Sequence, residues 1–498
     1  MNIVMLLQMA ADTCPERVAL TSHHRHYTYG QIFSAAGVAA NMIRESGCPF
    51  VSVLDTSSPA VPIALLGAAM SGVPYVPLNY RLTREQLDGL IERISPPFLV
   101  ADDGHRPNYE AMPGAMVLSQ EAFLDATLNG DARGGDWPED PSMVAVQLFT
   151  SGTTGTPKAA ILRHEHLVSY IIGSVDFMSA EEEEATLVSV PPYHIAGISA
   201  VLSSIYACRR IVQLPDFGAA AWLEMAHLER VSSAFVVPTM LSRIVDHLDT
   251  IEQVPELPNL RAIAYGGGKM PVPVIQRALE LFPGVDFTNA YGLTETSSTI
   301  TLLGPDDHRD ALASGDAHVR SRLGSVGKAL PTVEIEVRDE NGQVLGPMEP
   351  GEIFVRGPQV SGEYQERNAL DSEGWFPTRD AGYLDAEGYL FLSGRADDVI
   401  VRGGENISPS EIEDVLLTHE AVADAAAVAI PSKEWGEAVG AVVVLKPERT
   451  VTEHELQHLV KSHLRSSRVP EKILFEPELP YNETGKLLRR VLKEHFSS

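Results

Sequence analysis

Cysteine is scarce in this chain. Cys14, Cys48 and Cys208 are the only three in 498 residues. They are odd in number and far apart, which argues against a disulfide framework or a cysteine-rich metal centre and fits a reducing, cytoplasmic setting. Positive charge is also short: Lys and Arg total 38 against 67 Asp and Glu, a net charge of −29. That balance argues against nucleic acid and anionic membrane surfaces as partners. An anionic substrate must then meet a local positive site or a metal. Long unbroken apolar runs are missing as well. Residues 56–80 carry no charge, but Pro59, Pro62, Pro74 and Pro77 interrupt them. They read as a buried helix followed by a strand over 73–77, with no membrane span. Residues 1–10 are apolar yet lack the basic segment and cleavage site of a signal peptide. What remains is an apolar content of 44% and a charged content of 21%, ordinary for a globular protein. The length suggests about two to four structural units.

The most informative stretch is residues 150–158: Thr150, Ser151, Gly152, Thr153, Thr154, Gly155, Thr156, Pro157 and Lys158. Its glycines let backbone N–H groups turn toward an anion, its hydroxyls add neutral donors, and its lysine adds a point charge. An apolar strand at 144–149 precedes it and a helix-like segment at 160–172 follows. A surface loop of this composition is common, but the position between a buried strand and a helix favours a grip on a polyphosphate. The pattern is not the usual P-loop: Gly152 and Gly155 are too close, Pro157 precedes the lysine and Ala159 follows it.

The flanking chain reads as α/β. Before the loop, helices are expected at 6–11, 31–46, 63–70 and 83–94, strands at 51–54 and 98–101, and an exposed linker at 130–141. Further strands are expected at 186–190, 211–214, 234–237, 260–264 and 285–290, with helices between most of them. This alternation predicts a largely parallel sheet covered by helices. The acidic run 181–184 reads as a solvated turn. Residues 320–392 read as β-rich, with strands at 333–338, 352–356 and 389–392. The last hundred residues read as a small α+β unit. Its strands lie at 425–430 and 439–445, and its helices open on capping boxes at Ser408 with Glu411 and at Thr452 with Glu455. Glycine and charge place a boundary near 394–398.

Polar clusters fall at predicted strand ends, where open α/β sheets bind ligands. Tyr265 is followed by Gly266, Gly267 and Gly268, against whose bare backbone a flat ring can lie. Asn289, Ala290, Tyr291, Gly292, Leu293, Thr294, Glu295 and Thr296 offer an aromatic, hydroxyls and one carboxylate, and a carboxylate with phosphate oxygens is a normal Mg²⁺ arrangement. Asp380 in Thr378-Arg379-Asp380 can accept from a ribose diol, and Arg395 can approach the same sugar or a phosphate. Each alone has a plainer explanation: a turn, a polar loop, an ion pair. Lys486, after Gly485, taken by itself is a solvated lysine.

Taken together and in this order, these segments resemble the ANL superfamily of adenylate-forming enzymes, which includes acyl- and aryl-CoA synthetases, peptide-synthetase adenylation domains and firefly-type luciferases. The resemblance rests on TSGTTGTPK, NAYGLTET, GWFPTRD, GRADDVIVRGGENISPSEIE and the late GK, and spans almost the whole chain. It implies a large adenylation domain over 1–394, a hinge over 395–398 centred on Asp397, and a mobile lid domain over 399–498. It also implies formation of an acyl-AMP from a carboxylic acid and MgATP, followed by transfer to a thiol. On that analogy residues 150–158 close over the β- and γ-phosphates, Thr294 touches the α-phosphate and Glu295 holds Mg²⁺. Gly266, Gly267, Gly268 and Tyr291 sandwich adenine, and Asp380 and Arg395 bind ribose. Lys486 bridges the substrate carboxylate and the α-phosphate. Gly403 and Gly404 face the adenylate and pantetheine, and Trp435 either stacks on the pantetheine arm or is partly buried in the core.

The acid is constrained by Pro191-Pro192-Tyr193-His194. Amino-acid-activating relatives carry an aspartate near here, and this chain has none. His194 resembles the histidine of fatty-acyl and aryl ligases. Small or apolar residues at 194–199, 236–239, 266–268 and 296–300 point to a hydrophobic acid, aliphatic or cyclic. CoA is the expected acceptor, with the phosphopantetheine thiol of a separate carrier protein as runner-up. A non-catalytic nucleotide-binding homologue is the reading of a different class, and intact Lys158, Glu295, Asp380, Arg395 and Lys486 argue against it. The enzyme is expected as a monomer or homodimer serving fatty-acid metabolism.

Overall fold

The computed structural model describes residues 1–130, 136–150, 157–251, 255–395, 398–403, 405–481 and 487–496. Its largest element is a nine-stranded sheet. Six strands form its parallel centre in the order Asp286–Leu293, Ala262–Gly266, Ser233–Val236, Ala185–Val188, Arg210–Gln213 and Val18–Ser22. Both margins are antiparallel, Ser298–Leu303 and Lys328–Ala329 on one side and Arg25–Thr28 on the other. The central strands are short apolar runs because helices cover the sheet. Ile195–Tyr206, Ala219–Leu228 and Pro238–Thr250 are among these helices, and they share one continuous core with the N-terminal helices Val4–Thr13, Tyr29–Ser46 and Ala60–Ser71. This is the expected helix-covered, largely parallel arrangement.

A second sheet is built from two groups of strands. Phe50–Leu54, Pro97–Ala101 and Met116–Ser119 are parallel. Val144–Thr150, Lys158–Arg163, Glu363–Tyr364 and Arg367–Asn368 form an antiparallel group. Buried Tyr75 joins the two groups through single bridges to Val51 and Val146. The strand expected at 73–77 is reduced to this bridge because Pro74 and Pro77 have no N–H to donate to a ladder. A second difference is larger. The chain does not enter a helix at 160 but continues as the strand Lys158–Arg163, and the helix begins only at His164–Ser174. Ala160, Ile161 and Leu162 suit either state by pattern, and pairing on both sides, with Val144–Thr150 and with Glu363–Tyr364, decides for strand. The strands on either side of residues 151–156 therefore pair as a β-hairpin, with Thr150 opposite Lys158.

A four-stranded antiparallel sheet follows, formed by Glu334–Arg338, Gly351–Arg356, Phe376–Leu384 and Leu390–Arg395. The C-terminal residues build a separate five-stranded sheet around the hairpin Val422–Ser432 and Gly436–Leu445. Alternation along these strands serves two cores. Ala425, Ala427, Val439, Ala441 and Val443 pack with Ile412, Leu416, Leu456 and Val460, while Ala426, Val428 and Val442 pack with Leu492. The Thr452 capping box forms as expected. The Ser408 box does not. The Ser408 hydroxyl donates to Ser393 O at 2.7 Å, and Glu411 is held by Arg468 at 2.9 Å. Among the described residues no helix is long and apolar enough to cross a membrane.

Helices Tyr29–Ser46 and Ala60–Ser71 touch at Gly67, where an added Cβ would lie 2.7 Å from Ala39 Cβ and 3.2 Å from Ala36 O. Gly67→Val is expected to destabilise the protein by about 1–3 kcal/mol through overpacking. A shift of the urea midpoint to lower concentration checks this, and an unchanged midpoint would show that the helices can separate freely.

Candidate active site

The strand Ala262–Gly266 ends with Gly266 beside Ala290 of the parallel strand Asp286–Leu293, which runs three residues further. A Cβ on Gly266 would lie 2.0 Å from Ala290 O, and Gly267 has φ +84°. Bare backbone is required here by the close approach of the neighbouring strand and by the left-handed conformation of Gly267. Asp286–Leu293 then reverses into Ser298–Leu303 through the turn Thr294–Thr296. The reversal is tight: Gly292 has no room for a Cβ, and Ser297 and Ser298 take φ of 58° and 126°. It is braced from within. Thr296 Oγ1 lies 2.8 Å from Ser298 O, and Gln359 Nε2 donates to Thr299 O at 2.7 Å. Asn289 belongs to this frame, since its buried amide donates to Ser325 O at 3.1 Å.

The strands Phe376–Leu384 and Leu390–Arg395 bring Asp380 and Arg395 into register. Arg395 Nη1 donates to Asp380 Oδ1 at 2.9 Å, and Tyr291 Oη donates to Asp380 Oδ2 at 2.6 Å. Asp380 N is in turn bound to Thr378 Oγ1 at 3.1 Å. Burial, with Asp380 next in effect, holds the Tyr291 phenol well above its ordinary pKa, so it stays a donor. Tyr291, Asp380 and Arg395 come from three separate motifs and form one hydrogen-bonded unit.

A second unit joins the hairpin to the turn. Tyr364 Oη donates to Glu295 Oε1 at 2.6 Å, and Glu295 O accepts from Ser361 N at 2.9 Å and Gly362 N at 3.2 Å. Tyr364 also pairs in register with Ala160, and Lys158 Nζ lies 5.8 Å from its ring centre. Arg93 holds the hairpin beside Lys158, donating to Pro157 O at 2.6 Å and pairing with Glu366 at 2.6 Å. Neither Tyr364 nor Arg93 stands in a motif from which it could have been read. Among the described residues Glu295 Oε2 has no hydrogen-bond or ion-pair partner, so a hard oxygen donor is available there for Mg²⁺. Another cluster with ligand-like spacing, His318, Asp385 and Glu387, lies outside these units, and Arg322 is 3.1 Å from its Glu387.

His194 precedes the helix Ile195–Tyr206. Its Nε2 is shielded and has no hydrogen-bond partner among the described residues, and Tyr193 lies ring to ring at 4.5 Å. Burial, and then the nearby Arg81 cation, lower its pKa to about 4. One turn on, Ser199 Oγ donates to Ser298 Oγ at 3.2 Å, so the start of this helix and the strand after the turn form adjacent walls.

In the C-terminal unit Gly403 has φ +57° and donates its N–H to Trp435 O at 3.0 Å. A Cβ there would lie 2.9 Å from the Trp435 ring, and Trp435 is 43% exposed. The core-burial alternative for Trp435 is thus corrected: the indole lies on the glycine at the surface. Lys269, next to the glycine platform, reaches across to Asp414 at 2.8 Å and Ser410 O at 3.3 Å. Ser151, Gly152, Thr153, Thr154, Gly155, Asp397, Gly404 and Lys486 lie outside the described residues.

Comparison with known proteins adds an independent line. The family model for AMP-binding enzymes matches residues 7–365, and that for the AMP-binding enzyme C-terminal domain matches 411–486. A 2-succinylbenzoate–CoA ligase of Bacillus cereus is 31% identical over 98% of this chain and 97% of its own. The o-succinylbenzoate CoA synthetase MenE of Bacillus subtilis, solved with the acyl-adenylate OSB-AMP, is 30% identical with a TM-score of 0.84, covering 98% of this chain and 97% of that one. The same enzyme has been solved with ATP and magnesium ion. ATP-bound MatB of Rhodopseudomonas palustris is 26% identical with a TM-score of 0.88, covering 100% and 99%.

A histidine whose folded pKa lies below its ordinary value of about 6.5 takes its proton later than the unfolded chain does. Its contribution to stability is therefore present above about pH 6.5 and is lost as the pH falls toward about 4. The His194 ring resonance in NMR is expected to hold its neutral position from about pH 8 to about pH 5. Titration near the ordinary value would contradict the site's neutral imidazole.

Proposed function

This chain belongs to the AMP-binding enzyme family, and we propose on that basis that it activates an aromatic carboxylic acid with ATP and passes the acyl group to CoA. It is an AMP-forming acid–thiol ligase. Carboxylate is a poor electrophile because its leaving group would be oxide. One carboxylate oxygen attacks the α-phosphorus and pyrophosphate leaves. The thiol sulfur then attacks the acyl carbon, and AMP leaves with that oxygen. The observation that carries the reading is the convergence, at one end of the parallel sheet, of the glycine platform, the Tyr291–Asp380–Arg395 unit and the Glu295 turn.

The roles proposed follow from charge and shape. Gly266, Gly267, Gly268 and the Tyr291 ring hold adenine, while Asp380 and Arg395 hold the ribose diol. Lys158 and the loop before it cover the β- and γ-phosphates, and Thr294 donates to the α-phosphate. Mg²⁺, held by Glu295 and the nucleotide, supplies charge neutralisation for the phosphates. Lys486 places a full positive charge between the two reacting anions. A neutral His194 beside the acid adds no charge of its own, which suits a carboxylate already paired with Lys486. For the thiol step, Gly403, Gly404 and exposed Trp435 offer a flat path to pantetheine. We assign 1–394 to adenylation, 395–398 with Asp397 to the hinge and 399–498 to the lid. Separate cores and separate family matches support this division.

The names of the relatives favour a benzoate-type acid over a fatty acid, and the small walls near Ser199 and Ser298 accommodate a ring. Three free thiols and the need for ATP and CoA support a cytoplasmic setting.

Pyrophosphate release against a panel of aryl, fatty and amino acids, with and without CoA, tests the function. Aryl acids are expected to give an acyl-CoA by mass. Acyl-AMP accumulating despite CoA would shift the acceptor to a carrier protein, and no pyrophosphate with any acid would overturn the reading. Lys486→Ala is expected to slow adenylation at least about a hundredfold while sparing thioester formation from added acyl-AMP; equal loss in both steps would remove its role. Asp397→Pro is expected to do the reverse, and normal thioester formation would remove the hinge.

A further inference from the structure

Lys158 and Glu295 carry opposite charges in one site, yet among the described residues Lys158 makes no ion pair. A lysine and a carboxylate free to meet would form a charge-assisted hydrogen bond and compete with the nucleotide for both groups. Tyr364 stands between them. Its hydroxyl donates to Glu295 Oε1 at 2.6 Å, and its ring faces Lys158 Nζ at 5.8 Å. Arg367 lies at 5.8 Å from the same ring. The backbone fixes this placement from both sides. Tyr364 is in register with Ala160, Gln365 N donates to Ala159 O at 2.9 Å, and Gly362 N donates to Glu295 O at 3.2 Å.

The geometry points to Tyr364 as a positioning residue of the adenylation site, a spacer that orients Glu295 through Oε1, leaves Oε2 open to Mg²⁺, and keeps Lys158 from neutralising that carboxylate. This rests on the reading of Glu295 as the metal carboxylate. The ring contact is weaker than a phosphate contact, so Lys158 is released to ATP without a competing ion pair to break. The hydroxyl and the ring thus have separable duties. The hydroxyl sets the metal ligand, and the ring keeps the two charges apart.

The test is equilibrium binding of ATP by calorimetry, without acid or CoA, over a Mg²⁺ series. For Tyr364→Phe the Mg²⁺ concentration needed for half-maximal tightening is expected to rise about tenfold, the loss of one hydrogen bond to a charged group. ATP affinity without Mg²⁺ and the thermal midpoint are expected to stay as in the parent. For Tyr364→Leu, which also removes the spacer, Mg²⁺-free ATP affinity is expected to fall as well, and Glu295→Gln in that background to restore it by removing Lys158's competing partner. A parental Mg²⁺ midpoint in Tyr364→Phe overturns the positioning role, and no restoration in the double variant overturns the spacer. Glu295→Gln alone separates the two readings. If it leaves the Mg²⁺ dependence intact, the metal assignment itself falls. If it abolishes the dependence while Tyr364→Phe does not move it, only the present inference falls.

Discussion

The ion pair of Asp380 with Arg395 is the contact on which the site's assembly depends. It crosses two antiparallel strands, and through the Tyr291 hydroxyl it is tied to the strand Asp286–Leu293 of the parallel sheet. The Asp380 side chain is only 14% exposed. A carboxylate so enclosed is tolerated because both oxygens are bonded, one to a cation and one to a phenol that stays protonated. Removing any one of the three would leave a buried charge or donor without its partner. Arg395 also ends the strand from which the chain passes into its C-terminal unit, so one interaction ties together the end of the parallel sheet, the β-rich sheet and the approach to the smaller sheet.

An acidic protein that handles ATP and a carboxylate has a second difficulty, which is to gather positive charge locally against a net charge of −29. The structure meets it by backbone geometry. Lys158 begins a hairpin strand beside Pro157, whose carbonyl Arg93 holds, and Arg395 is set by strand register. Contacts across to the C-terminal unit are of a different kind. Lys269 with Asp414 is a half-exposed ion pair, worth about 0–1 kcal/mol, and Ser408 with Ser393 is a single hydrogen bond. Links this weak suit a unit proposed to take up a second position for the thiol step.

Part of the site was legible because its residues sit in contiguous motifs. The glycine run and the Tyr291 to Glu295 segment stand at the end of the parallel sheet as period and punctuation indicated, and Arg395 ends a strand, whereas Asp380 lies within Phe376–Leu384, a strand the pattern did not announce. What was not legible came from contacts between distant segments. Residues 160–163 suit a helix by pattern and became a strand because two partners pair with them. Ser408 and Glu411 have the spacing of a capping box, but Ser393 and Arg468 claim their side chains. Tyr364 lies 69 positions from Glu295 and Arg93 lies 64 from Pro157, with no local pattern announcing either. Trp435 was ambiguous because an indole suits a core as well as a surface, and the absence of a side chain at Gly403 decided its place.

The central claim is that the acid's own oxygen bonds to the α-phosphorus before any thiol attacks. A single-turnover reaction with an aryl acid carrying ¹⁸O in its carboxylate, CoA and ATP tests this directly, reading the mass of the AMP released. One labelled oxygen is expected in AMP and one in the thioester carbonyl. Unlabelled AMP alongside a normal yield of thioester would mean that no acyl-AMP forms, and the reading of the site would be wrong.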